Sequence, residues 1–448
     1  MELSIMSTSM FSVRSIVGLG LIGAALLSAC GGGGVEGSSA QAEGPVGSMR
    51  PGIQGELMIG VLYPFSGTSS ANYDSRERYI RQAVAEINAA GGVNGKTLGY
   101  MVRDTKAGTT EGSEAQIGEY LDLVNAGCFG VIGPLTSAEA LLLAPTIIKT
   151  GVPVVATGPS TTDLDTMDRG TPSVFYRLIV SNSFSGGVAA QIARRDGKAT
   201  VAIIHSDDSF GVSARDNFSK SFVARGGVVL ASSSFKAGKT SDFAAVVSQA
   251  MSGGRPDAIY IAAQSAEAVG LSKDLASGVA KPRPSMYAAS SLSTSQFVTT
   301  ADASVVEGMT IMGADNNPKR PEYLAFADLF TQAYGTPPDV GISPSGYDAV
   351  YLFALAAQAG GSTDKASVAK WLRPVSRPDT ASPLKITPGQ FGLALKNPGK
   401  DWDYEGAKTA VNWDARGDLS TGSFIVYSVK RNSAGQLALV QVDQVAPD

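Results

Sequence analysis

The sequence predicts an α/β protein of two lobes, each built on a parallel sheet flanked by helices. The chain has 448 residues, and single hydrophobic cores seldom grow beyond about 250 to 300 residues, so more than one domain is expected. Apolar strands alternate with helical segments, which is the pattern of a parallel sheet. The same strand–loop–helix–turn–strand order recurs from residue 199 onward. Two similar lobes are the simplest interpretation.

The first strand–helix unit runs from Leu57 to Leu98. Residues 57–62 are apolar with no polar face, as expected for a strand that helices cover on both sides. Apolar residues recur at helical spacing from about Ser75 to Ala90, and the glycine-rich turn at 91–95 ends that helix. In an open parallel sheet, ligands bind at the carboxyl ends of the strands. The loop from Pro64 to Asp74 is therefore the first candidate binding loop.

The amino terminus has the pattern of a secretory signal. Arg14 precedes an apolar run at 16–27, and Leu-Ser-Ala-Cys at 27–30 closes it, resembling a bacterial lipobox. The run is shorter than the ~20 residues of a membrane-spanning helix. A buried amino-terminal helix is the alternative, but the four glycines at 31–34 would break it. We expect residues 1–30 to be a signal peptide and Cys30 to be lipidated.

Residues 31–55 are predicted to form a flexible tether. They are rich in glycine, serine and alanine and show no periodicity. At ~5 to 6 Å × √n, such a segment would hold a globular body about 25 to 30 Å from the anchored cysteine. Membrane contact is therefore expected through the lipid anchor alone.

The alternation of strands and helices continues through the rest of the chain. Strands are predicted at 97–102, 128–132, 152–155, 199–204, 228–232, 257–261, 285–288, 424–429 and 437–442. Helices are predicted at 117–125, 138–149, 211–225 and 266–277. Because parallel strands end at one edge of a sheet, the loops that follow them are expected to converge on a crevice.

Two loops of the first half carry short hydrogen-bond donors. Thr136 and Ser137 lie at the start of a predicted helix, where hydroxyls and free backbone N–H groups can receive a carboxylate. Gly158 and Ser160 belong to a second cluster of such donors after the next strand. Helix capping alone explains Ser137 equally well.

Composition and motifs argue against nucleic-acid binding and catalysis. The net charge of -4 gives no basic footprint for a nucleic acid. The single histidine is His205, and no nucleophile elbow, Walker loop or dinucleotide fingerprint after a strand is present. Asp207 and Asp208 beside it suggest a proton relay or a metal, but a lone strand-end histidine is usually structural. We predict no catalytic residue, cofactor or metal site.

Cysteine usage predicts no disulfide. The chain has two cysteines, and one of them is Cys30. Cys128 lies in the apolar run 128–132, so a buried thiol is favoured over a reactive one.

Several segments resemble the type I periplasmic binding proteins, and more narrowly the leucine/isoleucine/valine-binding branch. They are the apolar first strand, the Pro-Phe-Ser-Gly loop at 64–67, the Glu-Ile-Asn-Ala-Ala-Gly-Gly-Val-Asn-Gly-Lys run at 86–96 and the Asn-Trp-Asp-Ala-Arg-Gly-Asp turn at 412–418. Matches extend from Leu57 to about Val442 and are weakest between Thr380 and Asp403. That weak stretch is interpreted as an insertion.

The resemblance implies a type I periplasmic binding protein fold, in which three crossing segments join two Rossmann-like lobes. The crossings are expected at 171–177, from 309–313 and near 404–407. The first lobe would comprise 56–178 and 314–404, and the second lobe 179–313 and 405–448.

The resemblance also implies a receptor that closes its lobes on a small amino-acid-like or carboxylate ligand. In the family the positions of Ser137, Gly158 and Ser160 hold the ligand carboxylate. Such a protein delivers its ligand to an ABC permease from the periplasm or cell surface, and a monomer is expected. The alternatives are a sensory receptor without a permease and an envelope lipoprotein of the same fold.

Departures from the family bear on the ligand. Phe210 and Gln264 stand where tyrosines are usual, and Ser290 falls near the acidic residue that receives an amino acid's ammonium. Asn72 takes a position that is often aromatic, and Tyr73 beside it is expected to lean over the ligand. The carboxylate-binding half of the site is kept and the ammonium-binding half is lost.

We therefore expect a small anionic or polar ligand rather than an ordinary branched-chain amino acid. Asp207, Asp208 and Glu267 are alternatives that could supply the missing charge from a neighbouring loop. The candidate ligand-binding residues are Ser66, Asn72, Tyr73, Thr136, Ser137, Gly158, Ser160, Phe210, Gln264 and Ser290.

Overall fold

A computed structural model describes residues 52–66, 70, 73–106, 112–314, 317–420 and 423–446. The predicted signal peptide with Cys30 lies outside these residues, as do residues 31–51 of the predicted tether and Asn72. Ile53 pairs with Tyr100 through two backbone hydrogen bonds of 3.1 and 2.8 Å. The chain thus joins the first sheet slightly before residue 56, where the sequence predicted the first lobe to begin.

Strands and helices alternate through most of the described chain. The strands are β1 (Leu57–Tyr63), β2 (Leu98–Asp104), β3 (Val131–Ile132), β4 (Val154–Ala156), β5 (Phe175–Arg177), β6 (Thr200–Ser206), β7 (Val228–Phe235), β8 (Ala258–Ala262), β9 (Ser285–Ala288), β10 (Thr310–Ala314), β11 (Leu384–Ile386), β12 (Trp402–Tyr404), β13 (Phe424–Arg431) and β14 (Leu437–Val445). The helices are α1 (Tyr73–Ala89), α2 (Gly112–Asn125), α3 (Ser137–Thr150), α4 (Asn182–Arg195), α5 (Ser209–Ala224), α6 (Ala244–Ala250), α7 (Ser265–Gly278), α8 (Ser295–Thr300), α9 (Ala303–Val306), α10 (Pro321–Tyr334), α11 (Ser345–Gly360), α12 (Lys365–Leu372) and α13 (Phe391–Lys396).

The first lobe is built on a five-stranded parallel sheet in the order β2-β1-β3-β4-β5. Strand β1 lies inside this sheet, and its residues Ile59, Val61 and Leu62 are fully buried. This burial on both faces explains why the strand has no polar side. Helix α1 buries Tyr79 and Ile80 in the same core.

The second lobe is built on a seven-stranded sheet in the order β14-β13-β10-β9-β8-β6-β7. Strands β6 to β10 are parallel, whereas β13 runs antiparallel to both β10 and β14. The predicted fold class, two α/β lobes with parallel sheets, is confirmed. The exact lobe boundaries stay a prediction.

Two of the predicted crossings begin later than the sequence indicated. Residues 175–177 form β5, which pairs with β4 at the edge of the first sheet, so the chain leaves this lobe only after Arg177. Residues 310–314 form β10, which pairs with β9 and β13 within the second sheet. Short apolar segments are ambiguous by pattern, because a strand and a linker to the next lobe can share the same composition.

The segment from 321 to 404 returns to the first lobe. Helix α11 packs against α1 and β3, and its residues from Ser345 to Ala357 are all buried. The stretch 380–403, which we interpreted as an insertion, contributes β11, helix α13 and the start of β12, which pairs in parallel with β11. The N–H of Gly389 donates to the hydroxyls of Tyr347 and Tyr351 at 3.2 and 3.0 Å, which ties this stretch to α11.

A buried ionic cluster fastens the first crossing to the turn at 412–418. Arg177 Nε and Arg169 Nη1 donate to Asp418 Oδ1 at 2.5 and 2.7 Å, and Arg177 Nη2 donates to Asp165 Oδ1 at 2.6 Å. Burial disfavours the charged carboxylate, but the hydrogen bonds and charges of the two arginines outweigh it and hold the pKa of Asp418 below its usual range. Removing one member of such a cluster leaves an uncompensated buried charge.

A second buried carboxylate, Asp348 of α11, holds the third crossing. It accepts hydrogen bonds from the Tyr404 hydroxyl at 2.8 Å and from the N–H groups of Ala407 and Lys408 at 2.7 and 2.9 Å. A Cβ at Gly406 would lie 2.6 Å from Asp348 Oδ2, so only glycine allows this approach.

Two residues with reactive side chains are buried structural groups. Cys128 is a free, buried thiol whose pKa burial raises to about 11. His205 is 2% exposed, its Nδ1 lies 2.7 Å from the carbonyl of Ser206, and burial lowers its pKa. Within the described residues, no helix is long and apolar enough to span a membrane and no group of side chains has the arrangement of a metal site.

Candidate functional site

A cavity of about 150 Å³ lies between the two lobes. It collects the loops after β3 and β4 in the first lobe and those after β6, β8 and β9 in the second, which is where parallel sheets bind ligands. Its lining comprises Arg76, Leu135, Thr136, Ser137, Thr157, Gly158, Ser160, Ile179, Phe210, Gln264, Ser265, Ser290, Ser291, Ser293, Thr294, Gly313, Val340, Gly341, Ser343, Lys408 and Tyr427. Cavities of about this volume admit a molecule the size of a six-membered ring.

Seven of the ten residues selected from the sequence line this cavity. They are Thr136, Ser137, Gly158, Ser160, Phe210, Gln264 and Ser290. Asn72 lies outside the described residues. The structure thus brings together loops from both lobes, and a ligand-binding role for these residues stays a prediction.

Ser66 and Tyr73 lie outside the cavity lining. The Ser66 hydroxyl donates to Asp104 Oδ2 at 2.6 Å, and Asp104 Oδ1 accepts the N–H of Phe65 at 3.1 Å. These bonds tie the loop after β1 to the end of β2, and they occupy the serine hydroxyl. Tyr73 begins α1 and packs on Phe65, with ring centroids 5.1 Å apart.

The donor side of the cavity is organised around the start of α3. Thr136 caps the helix, and Glu139 Oε2 accepts the N–H of Thr136 at 2.8 Å. Ser137 Oγ accepts the backbone N–H groups of Ser160 and Thr161, both at 3.2 Å. These bonds fix the next loop and leave the Ser137 O–H able to donate.

The hydroxyl of Ser160, unlike that of Ser137, is not used in hydrogen bonds between the loops. Its side chain is 4% exposed and lines the cavity, and within the described part of the chain its hydroxyl makes no hydrogen bond. Gly158 lets this loop approach its neighbour, since a Cβ there would lie 2.1 Å from the carbonyl oxygen of Leu135. Two serine hydroxyls near a helix amino terminus suit an anion.

Two cations in the lining were missed from the sequence. Arg76 lies in the first turns of α1 beside Tyr63 and Tyr79. Burial lowers its pKa, and the two phenol groups act in the opposite direction. Among the described residues, Arg76 has no hydrogen-bond or ion-pair partner, and its Nε is fully buried.

The second cation, Lys408, lies on the third crossing. Its Nζ donates to the carbonyl oxygen of Leu178, and Asp348 accepts its backbone N–H. Both cations follow segments that the sequence did identify: Arg76 follows the candidate binding loop Pro64–Asp74, and Lys408 follows the predicted crossing at 404–407. Their position beside these segments was the available signal.

No carboxylate lines the cavity within the ranges that the structure describes. The three acids that could have supplied an ammonium partner are bonded elsewhere: Asp207 accepts the N–H of Ala237 at 2.8 Å, and Asp208 caps α5. Glu267 accepts backbone N–H groups from Gly238 and Gln264 at 2.6 and 2.8 Å, and burial nevertheless raises its pKa to about 7.

The second lobe contributes hydroxyls and an apolar wall. Ser291 donates to the carbonyl of Ala263 at 2.7 Å and Ser293 to that of Ser290 at 2.7 Å, so these hydroxyls are occupied by the backbone. Phe210, 6% exposed, adds an aromatic face without a hydroxyl.

Two direct contacts join the lobes at the rim of the cavity. The N–H and hydroxyl of Thr162 both lie 3.1 Å from Ser213 Oγ on α5. Ser295 Oγ, on α8, donates to Asp339 Oδ1 at 2.8 Å, and Asp339 also accepts the N–H of Gly341. Apart from Asp339, the groups that meet are neutral.

Comparison with known proteins gives consistent findings. The model of a periplasmic binding protein family matches residues 56–391. A Leu/Ile/Val-binding protein homolog 7 of Brucella abortus is 24% identical over 305 residues, which is 65% of this chain and 74% of that protein.

Solved structures agree with the fold described above. The leucine-binding protein LivK of Thermotoga maritima superposes with a TM-score of 0.69 at 22% identity, covering 87% of this chain and 99% of that one. A solute-binding protein of R. palustris in complex with 4-hydroxybenzoate gives a TM-score of 0.66 at 20% identity, covering 88% and 98%.

Proposed function

Because the chain belongs to the periplasmic binding protein family, whose members are binding proteins rather than enzymes, we propose that it is the extracytoplasmic substrate-binding protein of an ABC importer and that its ligand is a small carboxylate. One observation carries the choice of ligand. Among the described residues, the cavity is lined by hydroxyls and two cations and by no carboxylate.

An amino-acid ligand would need a negative partner for its ammonium. Burying an ammonium without such a partner costs several kcal/mol, which lowers affinity by orders of magnitude. The acids nearest the second lobe's loops are bonded to backbone N–H groups instead. One protein of this fold binds leucine and another binds 4-hydroxybenzoate, so the fold alone does not distinguish an amino-acid ligand from a carboxylate. The residues of the cavity favour the carboxylate.

A carboxylate would lie between Ser137 and Ser160. Ser137 begins α3 and Ser160 lies in the loop after β4, and neither hydroxyl has to be released from an acceptor inside the described protein before it donates to a ligand. Closure of the lobes by hinge motion would add contacts from the second lobe and shift the population toward the closed form.

A panel of small molecules in a thermal-unfolding assay tests this function. A ligand at 100 times its dissociation constant stabilises the folded state by ~2.7 kcal/mol, so carboxylates without an amino group should raise the melting temperature. A clear shift with leucine, isoleucine or valine and none with amino-free acids would contradict the proposed ligand class.

The transport role has its own test, since a sensory receptor or an envelope lipoprotein of the same fold would bind ligand equally well. Genes for a permease and an ATPase beside this gene would support import. A neighbouring sensor kinase with no permease would favour the sensory alternative.

The proposed location is a bacterial membrane surface facing the periplasm or exterior, with Cys30 as the lipid attachment site. The full-length protein and Cys30→Ala should be produced in a Gram-negative host and fractionated. We expect acylated wild type in the membrane fraction and soluble Cys30→Ala. Recovery of unacylated wild type in the soluble fraction would contradict the anchor.

A further inference from the structure

We propose that the guanidinium of Arg76 is the ion-pair partner of the ligand carboxylate, and that it forms one anion-binding site with Ser137 and Ser160. The inference rests on the proposed function and deepens it, because it names the residue that selects an ionised carboxylate over a neutral ligand of the same shape. The serine hydroxyls alone make no such selection, since a hydroxyl donates to the oxygen of a neutral amide as well as to a carboxylate.

The first observation is that Arg76 has no anionic partner among the described residues. Its side chain lines the cavity, its Nε is fully buried, and no described residue forms an ion pair or hydrogen bond with it. By contrast, the buried Arg169 and Arg177 are each paired with Asp418. Because desolvation of a cation is costly unless an anion compensates it, the guanidinium favours an anion in the cavity.

The second observation is that the other charged groups at the cavity are engaged elsewhere. Asp339 adjoins the lining residue Gly341, but its Oδ1 accepts the Ser295 hydroxyl and the N–H of Gly341, both at 2.8 Å. The other cation of the lining, Lys408, donates its Nζ to the carbonyl oxygen of Leu178. Arg76 is therefore the cation that we assign to the ligand.

The third observation places Arg76 beside the donor loops. Arg76 interacts electrostatically with the phenol group of Tyr63, the last residue of β1. The Tyr63 hydroxyl lies 2.8 Å from Thr157 Oγ1, and Thr157 belongs to the loop after β4 that also carries Ser160. Strand β3, whose following loop leads to Ser137, pairs directly with β1. Arg76 and the two serines thus belong to the same end of the cavity.

A guanidinium and two hydroxyls can share one carboxylate. The N–H groups of arginine form a planar fork that binds both carboxylate oxygens in parallel. Those oxygens have about four lone-pair positions, so hydroxyl donors can use the remaining ones. A carboxamide of the same shape would instead direct its NH2 group at a guanidinium, which has donors and no acceptor. The charge of the ligand therefore contributes to affinity in addition to its shape.

Matched pairs of acids and amides test this preference. Hexanoate, benzoate and 4-hydroxybenzoate would be titrated by calorimetry near neutral pH against hexanamide, benzamide and 4-hydroxybenzamide, which have nearly the same shapes and no charge. We expect the best-binding acid to bind about 10- to 150-fold more tightly than its amide, which is the range for hydrogen bonds to charged groups.

Arg76→Gln is the decisive variant, because it keeps a hydrogen-bond donor and removes the charge. It should reduce acid affinity by at least about tenfold and amide affinity by less than about threefold, so that the ratio of the two falls towards one. Arg76→Lys keeps the charge without the planar fork and should retain part of the ratio.

Arg78→Gln is the matched control. Arg78 lies on the same helix outside the lining, and its guanidinium is 5.7 Å from the centroid of the Tyr334 ring. The substitution removes the same charge and should leave the ratio of acid to amide affinity unchanged.

Thermal unfolding without ligand separates binding from a structural role. Arg76→Gln should be as stable as the parent or more stable, because the substitution removes a cation that has no ion-pair partner in the described protein. Equal binding of an acid and its amide by the wild type would overturn the inference without any variant. An Arg76→Gln protein that keeps the wild-type ratio, or that binds acids and amides equally more weakly, would overturn it and leave the carboxylate ligand in place. Failure of every acid in the panel to bind would overturn the proposed ligand class as well.

Discussion

The buried carboxylate of Asp348 should make the free energy of unfolding depend on pH. The direction of this dependence shows whether burial or hydrogen bonding has the larger effect on its pKa. Burial raises its pKa, whereas hydrogen bonds from Lys408, Tyr404 and Ala407 lower it, and burial prevails with a folded-state pKa of about 6. In the unfolded chain an aspartate titrates near 3.9. The folded protein therefore holds this proton more tightly than the unfolded chain.

The sign and size of the effect follow from that difference. A raised folded-state pKa contributes stability that is fully present below about pH 4 and is lost as the pH rises through about 6. The shift of about two units corresponds to ~3 kcal/mol, since each unit is ~1.36 kcal/mol. Asp348→Asn removes the titration, so wild type should lose ~2 kcal/mol of unfolding free energy relative to the variant between pH 4 and pH 7, and the full ~3 kcal/mol from about pH 2.5 upward.

Urea unfolding of both proteins at several pH values in this range measures the quantity directly. The other titrating groups are shared and cancel in the difference between the two proteins. Asp348→Asn should also lower stability by a constant amount, because its amide nitrogen would face a backbone N–H donor. A wild type that gains stability relative to the variant as the pH rises would show that the three hydrogen bonds outweigh burial, and would refute the reasoning.

Three further substitutions test the donor side of the cavity. Ser160→Ala should weaken carboxylate binding by ~1.5 to 3 kcal/mol in calorimetry, with the free energy of unfolding changed by less than ~0.5 kcal/mol, because its hydroxyl has no partner in the described protein. Ser137→Ala should weaken binding by ~1 to 3 kcal/mol and also destabilise the fold by a similar amount, since two buried N–H groups lose their acceptor. Gly158→Ala should impair both properties, because its Cβ would lie 2.1 Å from a carbonyl oxygen.

Three outcomes would contradict these expectations. Unchanged affinity in both serine variants would remove the start of α3 from the binding site. Equal loss of stability in Ser160→Ala and Ser137→Ala would show that the Ser160 hydroxyl has a structural partner. A Gly158→Ala protein with wild-type affinity would show that the loop can move away without cost.

Most of the architecture could be predicted from local patterns. The central strands of both sheets are short apolar runs bounded by turn residues, because a strand that helices cover on both faces has no polar side. The segments at 171–177 and 309–313 were harder to assign, because short strands and crossings carry the same residue types. The sheet partner that distinguishes them is distant in the sequence.

The candidate site could be predicted only where it follows strand ends. Ser137, Gly158 and Ser160 could be predicted, because the loops after parallel strands lie at the edge of the sheet where ligands bind. Arg76 could not be predicted as a lining residue, because the direction of its side chain depends on how α1 packs against α10 and α11, which are far along the chain. Ser66 has a hydroxyl and follows a parallel strand, but that hydroxyl donates to Asp104 on the adjacent strand instead.

The two contacts between the lobes at the rim of the cavity affect how readily the lobes separate to release a ligand. Thr162 with Ser213 and Ser295 with Asp339 are two small contact points, each contributing on the order of 1 to 3 kcal/mol. Under the proposed import function, contacts of this size would favour the associated lobes and would still allow a transporter to separate them. A buried ion pair such as Arg177–Asp418 at this rim would be harder to separate, because opening it would leave a charge without its partner.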